Sequence, residues 1–408
     1  MMEFQYHTLD NGLRIVHFHV PTDISHCGIM INIGTRDELD QEHGMAHFIE
    51  HCIFKGTENR KSYHIISRLE DVGGDLNAYT TKEETTVHAT FLKEYYPRAI
   101  ELMSDLVFHS IFPEKEIEKE KEIVMDEINS YLDSPSEAIF DDFEEMIYQG
   151  NSIGRNILGT PDSLRAFTRA DVVRFVQKNY HPSQMVLCSA GNIPFKKLVH
   201  LAEKYLSVGS GAEPVQKRMI PFSYKPQQQY VSKSTNQSHC IIGNVAYGLK
   251  DNRRVGLYLL NNILGGPGMN SRLNLSLREK NGYSYNIEAL YTPYTDSGSI
   301  AIYFGSDKQN LERSMQLVHK EFEKIRNNKL GSLQLSKAKK QFIGQLAIAA
   351  ENHEGMMLSA AKSLMTYGKV DPPEVMYNRI NQITATEILE IANDILSPGN
   401  LSVLVYQP

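Results

Sequence analysis

The feature that most constrains the fold of this 408-residue sequence is an internal duplication. Thr168 and Thr384 each open a Thr-x-x-acid start, followed by a short amphipathic pattern, a proline and an apolar strand-like run, at an offset of 216 residues throughout. The tripeptide Ser-His-Cys at residues 25–27 recurs at 238–240, an offset of 213. Two matches in the same order at nearly the same offset predict two homologous halves.

The composition between these repeats predicts where the halves meet. Residues 211–221 belong to a Gly-, Ser- and Pro-rich stretch that is typical of a linker, which divides the chain into domains 1–210 and 222–408. Strands and helices are mixed without strict alternation, so we expect α+β halves, each an antiparallel-rich mixed sheet with helices packed on one face. The helical patterns cover residues 94–110, 115–133, 136–148, 308–328 and 334–365.

Charge and cysteine usage narrow the class of protein. The net charge of −7 argues against a nucleic-acid partner, which would favour a basic face. Four cysteines without CxxC spacing predict neither a disulfide framework nor a cysteine-rich zinc knuckle. No run of eighteen apolar residues and no signal-peptide pattern occur, so we expect a soluble cytoplasmic protein without a membrane partner.

One segment carries the pattern of a metal site. His47 and His51 are four residues apart, so on a helix they share one face and can ligate one zinc ion. Glu50 lies on the same side, where its carboxylate can reach water on that metal and take its proton. The HxxEH spacing is the inverzincin signature. The competing interpretation, a solvated polar face, fits poorly because Phe48 and Ile49 make the segment mostly apolar.

A catalytic zinc needs a third protein ligand, and the acidic pattern at residues 114–127 offers candidates. Glu120 and Glu127 are seven residues apart and so lie on one helix face. The residues alone do not choose between them: one can ligate while the other accepts a hydrogen bond from a ligand histidine.

These motifs together resemble the M16 (pitrilysin/insulysin) family of zinc metallopeptidases, of the small-subunit type similar to mitochondrial processing peptidase and its bacterial relatives. The resemblance rests on His47-Phe-Ile-Glu50-His51 and on Glu127, 76 residues beyond His51. It implies a LuxS/M16 metallopeptidase-like fold and one zinc ion per chain. It also implies that Glu127 is the third ligand and Glu120 its supporting acid.

The resemblance extends into the second half of the chain. Arg278 and Tyr285, seven residues apart, are similar to the family's arginine–tyrosine motif, which stabilises the substrate carbonyl as it becomes an oxyanion. The alternative, purely structural interpretation is that the arginine lies on the surface and the tyrosine in the core. Asn77 and Ala78 resemble the edge strand that pairs with an extended peptide, although a purely structural hairpin edge is nearly as good an interpretation.

The function that this resemblance implies is that of a metalloendopeptidase acting on peptides or unfolded segments inside a dimeric chamber. Because the chain carries both the zinc motif and the arginine–tyrosine motif, we expect a homodimer with composite active sites. The segment 258–265, which matches the zinc helix by offset, has no histidine or glutamate, so the second half is a degenerate copy. The alternative is a non-catalytic or substrate-dedicated subunit of the same family, holding peptides or processing leader peptides.

Overall fold

The computed structural model describes residues 3–209, 218 and 224–408. The strands are β1 (Phe4–Thr8), β2 (Arg14–His19), β3 (Ile24–Ile31), β4 (Asp75–Thr80), β5 (Thr85–Leu92), β6 (Met185–Gly191), β7 (Gln228–Ser232), β8 (Ser238–Ala246), β9 (Ile287–Pro293), β10 (Gly298–Ser306) and β11 (Ser402–Gln407). The helices are α1 (Met45–Cys52), α2 (Ser62–Glu70), α3 (Tyr96–His109), α4 (Glu114–Leu132), α5 (Pro135–Ile147), α6 (Pro161–Ala166), α7 (Arg169–Asn179), α8 (Phe195–Leu206), α9 (Arg254–Gly265), α10 (Leu311–Asn327), α11 (Ser332–Ala349), α12 (His353–Tyr367), α13 (Pro373–Gln382) and α14 (Ala385–Ile395).

The repeated Thr-x-x-acid starts form the same structure in both halves. The Thr168 side chain caps α7 by accepting a hydrogen bond from the Asp171 backbone N–H, and Thr384 caps α14 through Glu387 in the same way. Each helix leads through a proline turn into a buried strand, β6 or β11. The duplication predicted from these motifs is therefore confirmed in the fold.

The strands form two sheets of related topology. The first has the order β1-β2-β6-β3-β5-β4 and the second the order β7-β11-β8-β10-β9. Only the β2–β6 and β7–β11 pairs are parallel, so both sheets are mixed and mostly antiparallel, as predicted. In both, the hairpin that follows the strand carrying the Ser-His-Cys motif places an edge strand, β4 or β9, at one end.

The chain forms two compact units, and they do not follow the predicted division into residues 1–210 and 222–408. The first unit comprises Met1–Ile128, Arg155–Arg218 and Ile348–Pro373. The second comprises Asn129–Gly154, Met219–Ala347 and Glu374–Pro408. Of the predicted linker, only Arg218 lies among the described residues.

An exchange of helices explains this difference. In the first unit α12 packs on β2, β3 and β6 with Met357, Ala361 and Leu364, on the sheet face opposite the main core. In the second unit α5 covers the corresponding face with Ile139 and Phe143. Each sheet therefore has the predicted helical layer on one face and, in addition, one helix from the other half of the sequence on its second face. The amphipathic pattern of a helix shows that it buries a face, but not against which sheet.

A smaller difference concerns the helical stretch predicted at residues 334–365. It consists of α11 and α12, which are separated at residues 350–352. The Asn352 side chain accepts a hydrogen bond from the Gly355 backbone N–H and so starts a new helix. No helix in the described part of the chain is both long and apolar enough to cross a membrane.

Candidate metal centre

Two residues of α1 present imidazoles to the same point. The helix is anchored by its apolar side, since Phe48 and Ile49 are fully buried in the core of the first unit. His47 and His51 project from the other side, one turn apart, with their ring centroids 4.7 Å from each other. Their spacing thus gives one helix face two nitrogen ligands.

The acidic helix α4 supplies a carboxylate to the same point. Its buried positions are Ile117, Glu120, Val124 and Ile128, which form one stripe along the helix. Glu127 lies beside this stripe, and its Oε2 is 3.7 Å from His47 Nε2 and 3.3 Å from His51 Nε2. Among the described residues, no other group of three or more histidine, cysteine or acidic side chains has ligand atoms that all lie within 4.8 Å of one another.

These separations fit a zinc ion. Zinc–nitrogen and zinc–oxygen bonds of about 2.0–2.1 Å at tetrahedral angles place neighbouring ligand atoms about 3.3 Å apart. The His51–Glu127 separation has this value, and the His47–Glu127 separation exceeds it by a few tenths of an ångström. Two imidazoles and one carboxylate also leave the fourth position of a catalytic zinc free.

The imidazole of His47 is prepared to act as a ligand. Burial lowers the pKa of His47 to about 4, and the neighbouring His51 shifts it in the same direction. The ring is therefore neutral at physiological pH, with a lone pair available for a metal. Its Nδ1 is buried and has no hydrogen-bond partner among the described residues.

Glu50 lies between the two histidines in sequence and is partly buried. Burial raises the pKa of its carboxyl above the usual value for glutamate, and the charge of Glu127 adds to this rise while His51 opposes it. A carboxylate with a raised pKa beside a metal position is suited to accept a proton.

Glu120 lies behind His51 rather than beside the metal position. Its Oε2 is 3.4 Å from His51 Nδ1, and its Oε1 is 2.6 Å from the Nζ of Lys55. Because it is only 3% exposed, this carboxylate needs both partners. The contact orients the His51 ring so that Nε2 points to Glu127.

Asn77 and Ala78 lie on β4, the outermost strand of the first sheet, which packs beside α1. The strand pairs with β5 on one side, with Ala78 opposite Val87, and no described strand pairs with its other side. The Asn77 side chain is exposed and donates a hydrogen bond to Asp75. An open edge of this kind can receive an extended peptide.

Arg278 and Tyr285 belong to the second unit, where both line a cavity of about 440 Å³ with Asn262, Asn274 and Phe342. Arg278 lies in the π-helical turn Asn274–Glu279. Tyr285 is 82% exposed, so it is not the core tyrosine of the alternative interpretation.

Two residues near the metal position were not among the sequence candidates. Lys55, which contacts Glu120, follows His51 by four residues and could have been found from that spacing. Glu38 accepts hydrogen bonds from the N–H groups of Gly44 and Ala46 at the start of α1. No sequence pattern indicates this contact, because it crosses a loop of irregular backbone.

Comparison with known proteins gives consistent results over the whole chain. Residues 14–161 match the family model "Insulinase (Peptidase family M16)", and residues 166–342 match "Peptidase M16 inactive domain". The chain is 30% identical over 403 residues to an uncharacterized zinc protease of Rickettsia felis, covering 98% of this chain and 97% of the relative. It is 29% identical over 400 residues to the uncharacterized zinc protease YmxG of Bacillus subtilis, with the same coverage.

The fold also has a close counterpart among solved structures. The crystal structure of a protease from Helicobacter pylori aligns over 100% of both chains with a TM-score of 0.92 and 19% sequence identity. At that identity the likeness concerns the fold alone. The two-halved α+β architecture and the helical layers are thus shared with that structure.

Proposed function

Because this chain belongs to peptidase family M16, we propose that it is a zinc-dependent endopeptidase that hydrolyses peptides or unfolded segments. The observation that carries the proposal is the convergence of His47, His51 and Glu127 on one point, with Glu50 on the same helix. The relatives named above are called zinc proteases, which supports the same chemistry.

His47, His51 and Glu127 would hold the zinc ion, one per chain. A bound zinc would polarise the substrate carbonyl and lower the pKa of a water molecule towards neutrality. Glu50 is assigned the role of proton carrier, which takes a proton from the attacking water and gives it to the leaving amine. Glu120 keeps the His51 ring in the orientation that this arrangement requires.

Substrate binding and charge stabilisation are assigned to other residues. The open edge of β4 at Asn77 and Ala78 pairs with the main chain of an extended peptide, so we expect an unfolded segment to be cleaved in preference to a folded domain. Tyr285 donates a hydrogen bond to the oxygen that becomes negatively charged, and Arg278 positions the substrate backbone. The exposed Tyr285 hydroxyl is available for this contact.

We further propose that two copies of the chain form a homodimer, in which Arg278 and Tyr285 of one subunit complete the zinc site of the other. A mixing experiment tests this arrangement. Glu50→Gln and Tyr285→Phe subunits, each inactive alone, are combined under conditions that exchange subunits. If each active site is shared between subunits, the mixture recovers about one quarter of the wild-type activity, because half of the dimers are mixed and each mixed dimer carries one intact site. If each active site lies within a single subunit, the mixture recovers no activity.

The proposed location is the cytoplasm. All four cysteines are free. Proteins of a reducing compartment rarely contain disulfides, which supports this location.

The decisive test compares zinc-loaded wild type with zinc-loaded Glu50→Gln on quenched unstructured peptides, with bound metal quantified in both. We expect one zinc per chain in both proteins and cleavage only by the wild type. Wild type that holds zinc but cleaves nothing in a broad peptide pool would instead favour a peptide-holding or leader-processing subunit of this family. Absence of zinc from both proteins would refute the metal centre.

A further inference from the structure

The helix that carries both candidate histidines begins without a capping side chain of its own. Its N-cap is Gly44, with φ of +89°, and a Cβ there would lie 2.7 Å from the Gly159 Cα. The first backbone N–H groups of a helix have no intrahelical partner. Here the carboxylate of Glu38, six residues earlier, accepts the Gly44 N–H and the Ala46 N–H at 2.8 Å each.

This contact bears directly on the metal ligands because α1 is short. It has eight residues, and His47 is the third of them, immediately after Ala46. A helix of two turns has few internal hydrogen bonds, so its first turn frays when its cap is lost. Fraying would move the His47 imidazole relative to His51, which lies one turn further along.

Glu38 is itself held in a buried position. It is only 5% exposed, and burial raises the pKa of its carboxyl well above the usual range, while the two backbone donors oppose the rise. The main-chain oxygen of Glu38 accepts a hydrogen bond from Arg155 at 3.3 Å. Hydrogen bonds thus hold both the side chain and the backbone of Glu38 in place.

The loop that contains Glu38 is tied to a distant part of the chain. Arg218, in the segment that joins the homologous halves, binds both carboxylate oxygens of Asp37 at 2.9 Å and donates to the Glu83 carbonyl at 2.7 Å. Asp37 also accepts the Gly34 N–H at 3.0 Å, and Arg36 pairs with the Glu83 carboxylate at 2.6 Å. The acidic side chains of this network are buried, so their pairing with the arginines is required.

We propose that Glu38 is a positioning residue for the metal centre and that Arg218 supports it by anchoring its loop. The proposal rests on the proposed zinc site. It assigns to Arg218 of the connecting segment a role in metal binding although Arg218 is not itself a ligand. Arg218 acts through Asp37, Glu38 and the start of α1, in that order.

Zinc affinity, measured by competition with a chromophoric chelator, tests the role of Glu38. We expect Glu38→Ala to bind zinc about 10-fold more weakly than wild type, the usual loss when a group that orients a ligand is removed. Glu38→Gln keeps one accepting oxygen and should show an intermediate loss. Glu42→Gln is the matched control: this carboxylate in the same loop accepts the Leu39 N–H rather than a group of α1, and its change should leave affinity unaltered.

Two further readouts separate positioning from general stability. The visible spectrum of the cobalt-substituted protein reports ligand geometry, and it should change for Glu38→Ala but not for Glu42→Gln. Thermal unfolding of the metal-free proteins records any loss of fold. A Glu38→Ala protein with lower stability but wild-type zinc affinity and cobalt spectrum would overturn the proposal.

Arg218 is tested in combination with Glu38. Arg218→Gln should weaken zinc binding about 3-fold, and the double variant should lose less than the product of the two single losses, because both act on the same helix start. Arg174→Gln, which removes an exposed pair with Asp171, is the control and should have no effect. If the loss of zinc affinity in the double variant equals the product of the two single losses, the route from Arg218 through Glu38 is refuted. Wild type without zinc would refute the proposed function and this inference together, whereas zinc-binding wild type with unaffected variants would refute the inference alone.

Discussion

The helices α1 and α9 occupy equivalent places in the two sheets but differ in what they bury. Applying the offset of 213 residues places Leu260, Ile263 and Leu264 of α9 where α1 has His47, Glu50 and His51. Leu260 and Leu264 are fully buried in the core of the second unit, whereas His47 is 7% exposed and keeps an unpaired Nδ1. At this sequence offset, apolar packing residues of the second half match the candidate polar ligands of the first.

This difference indicates how much stability the proposed metal ligands cost the fold. A buried imidazole that lacks a partner destabilises a core, and leucine at the same place does not. In the second half, Leu260 and Leu264 pack in the core instead. The comparison therefore predicts that the two helices respond in opposite ways when their residues are exchanged.

The largest effect is expected from giving α1 the residue of α9. His47→Leu should abolish zinc binding and lower peptide cleavage by at least about 10³-fold, since a ligand is removed. The metal-free protein should be as stable as wild type or up to about 2 kcal/mol more stable, because an unpaired buried nitrogen is removed. Metal quantification and urea unfolding in the presence of chelator measure both effects. Retention of one zinc per chain would contradict the assignment of His47.

The reverse exchange should damage the fold without creating a site. Leu260→His should lower the free energy of unfolding by about 2–4 kcal/mol, because it buries a polar ring where the core has no partner for it. No additional zinc should bind, since no described acidic group converges there with a second ligand. Leu290→His, at a position that is 46% exposed, is the control and should be nearly neutral. Undiminished stability of Leu260→His would show that the core position tolerates polarity after all.

The smallest effect concerns the support of a ligand. Glu120→Gln should weaken zinc binding about 10-fold, because a neutral amide orients the His51 ring less strongly and leaves Lys55 without its carboxylate. Glu122→Gln, on the exposed side of the same helix, should bind zinc as wild type does. Equal affinity in the two variants would mean that the contact with His51 has no influence on the metal.

Local patterns in the sequence were sufficient for much of the fold and for part of the site. The spacing of His47 and His51 needs only a helix to bring two nitrogens together, and the repeated threonine caps needed only local chemistry. The choice between Glu120 and Glu127 was different. Both lie on one face of α4, but the depth at which each lies depends on how that helix packs, and only the fold sets Glu120 beneath His51.

No sequence pattern predicts contacts across irregular loops. Glu38 reaches Gly44 and Ala46 across a loop in which no helix or strand continues from one to the other, so no periodic pattern applies to the contact. The sequence also does not predict which sheet α5 and α12 cover, because an amphipathic helix has the same pattern whichever sheet it packs on.

The placement of α12 has a consequence for synthesis on the ribosome. The side chains that cover the outer face of the first sheet come from residues 353–367, and Arg14 donates a hydrogen bond to the Leu364 carbonyl, 350 residues later in the chain. Until residues 353–367 have been translated, Val16, Phe18 and Val186 of that sheet have no cover from α12. An emerging chain exposes this apolar face until then, which favours its protection by a chaperone during that time.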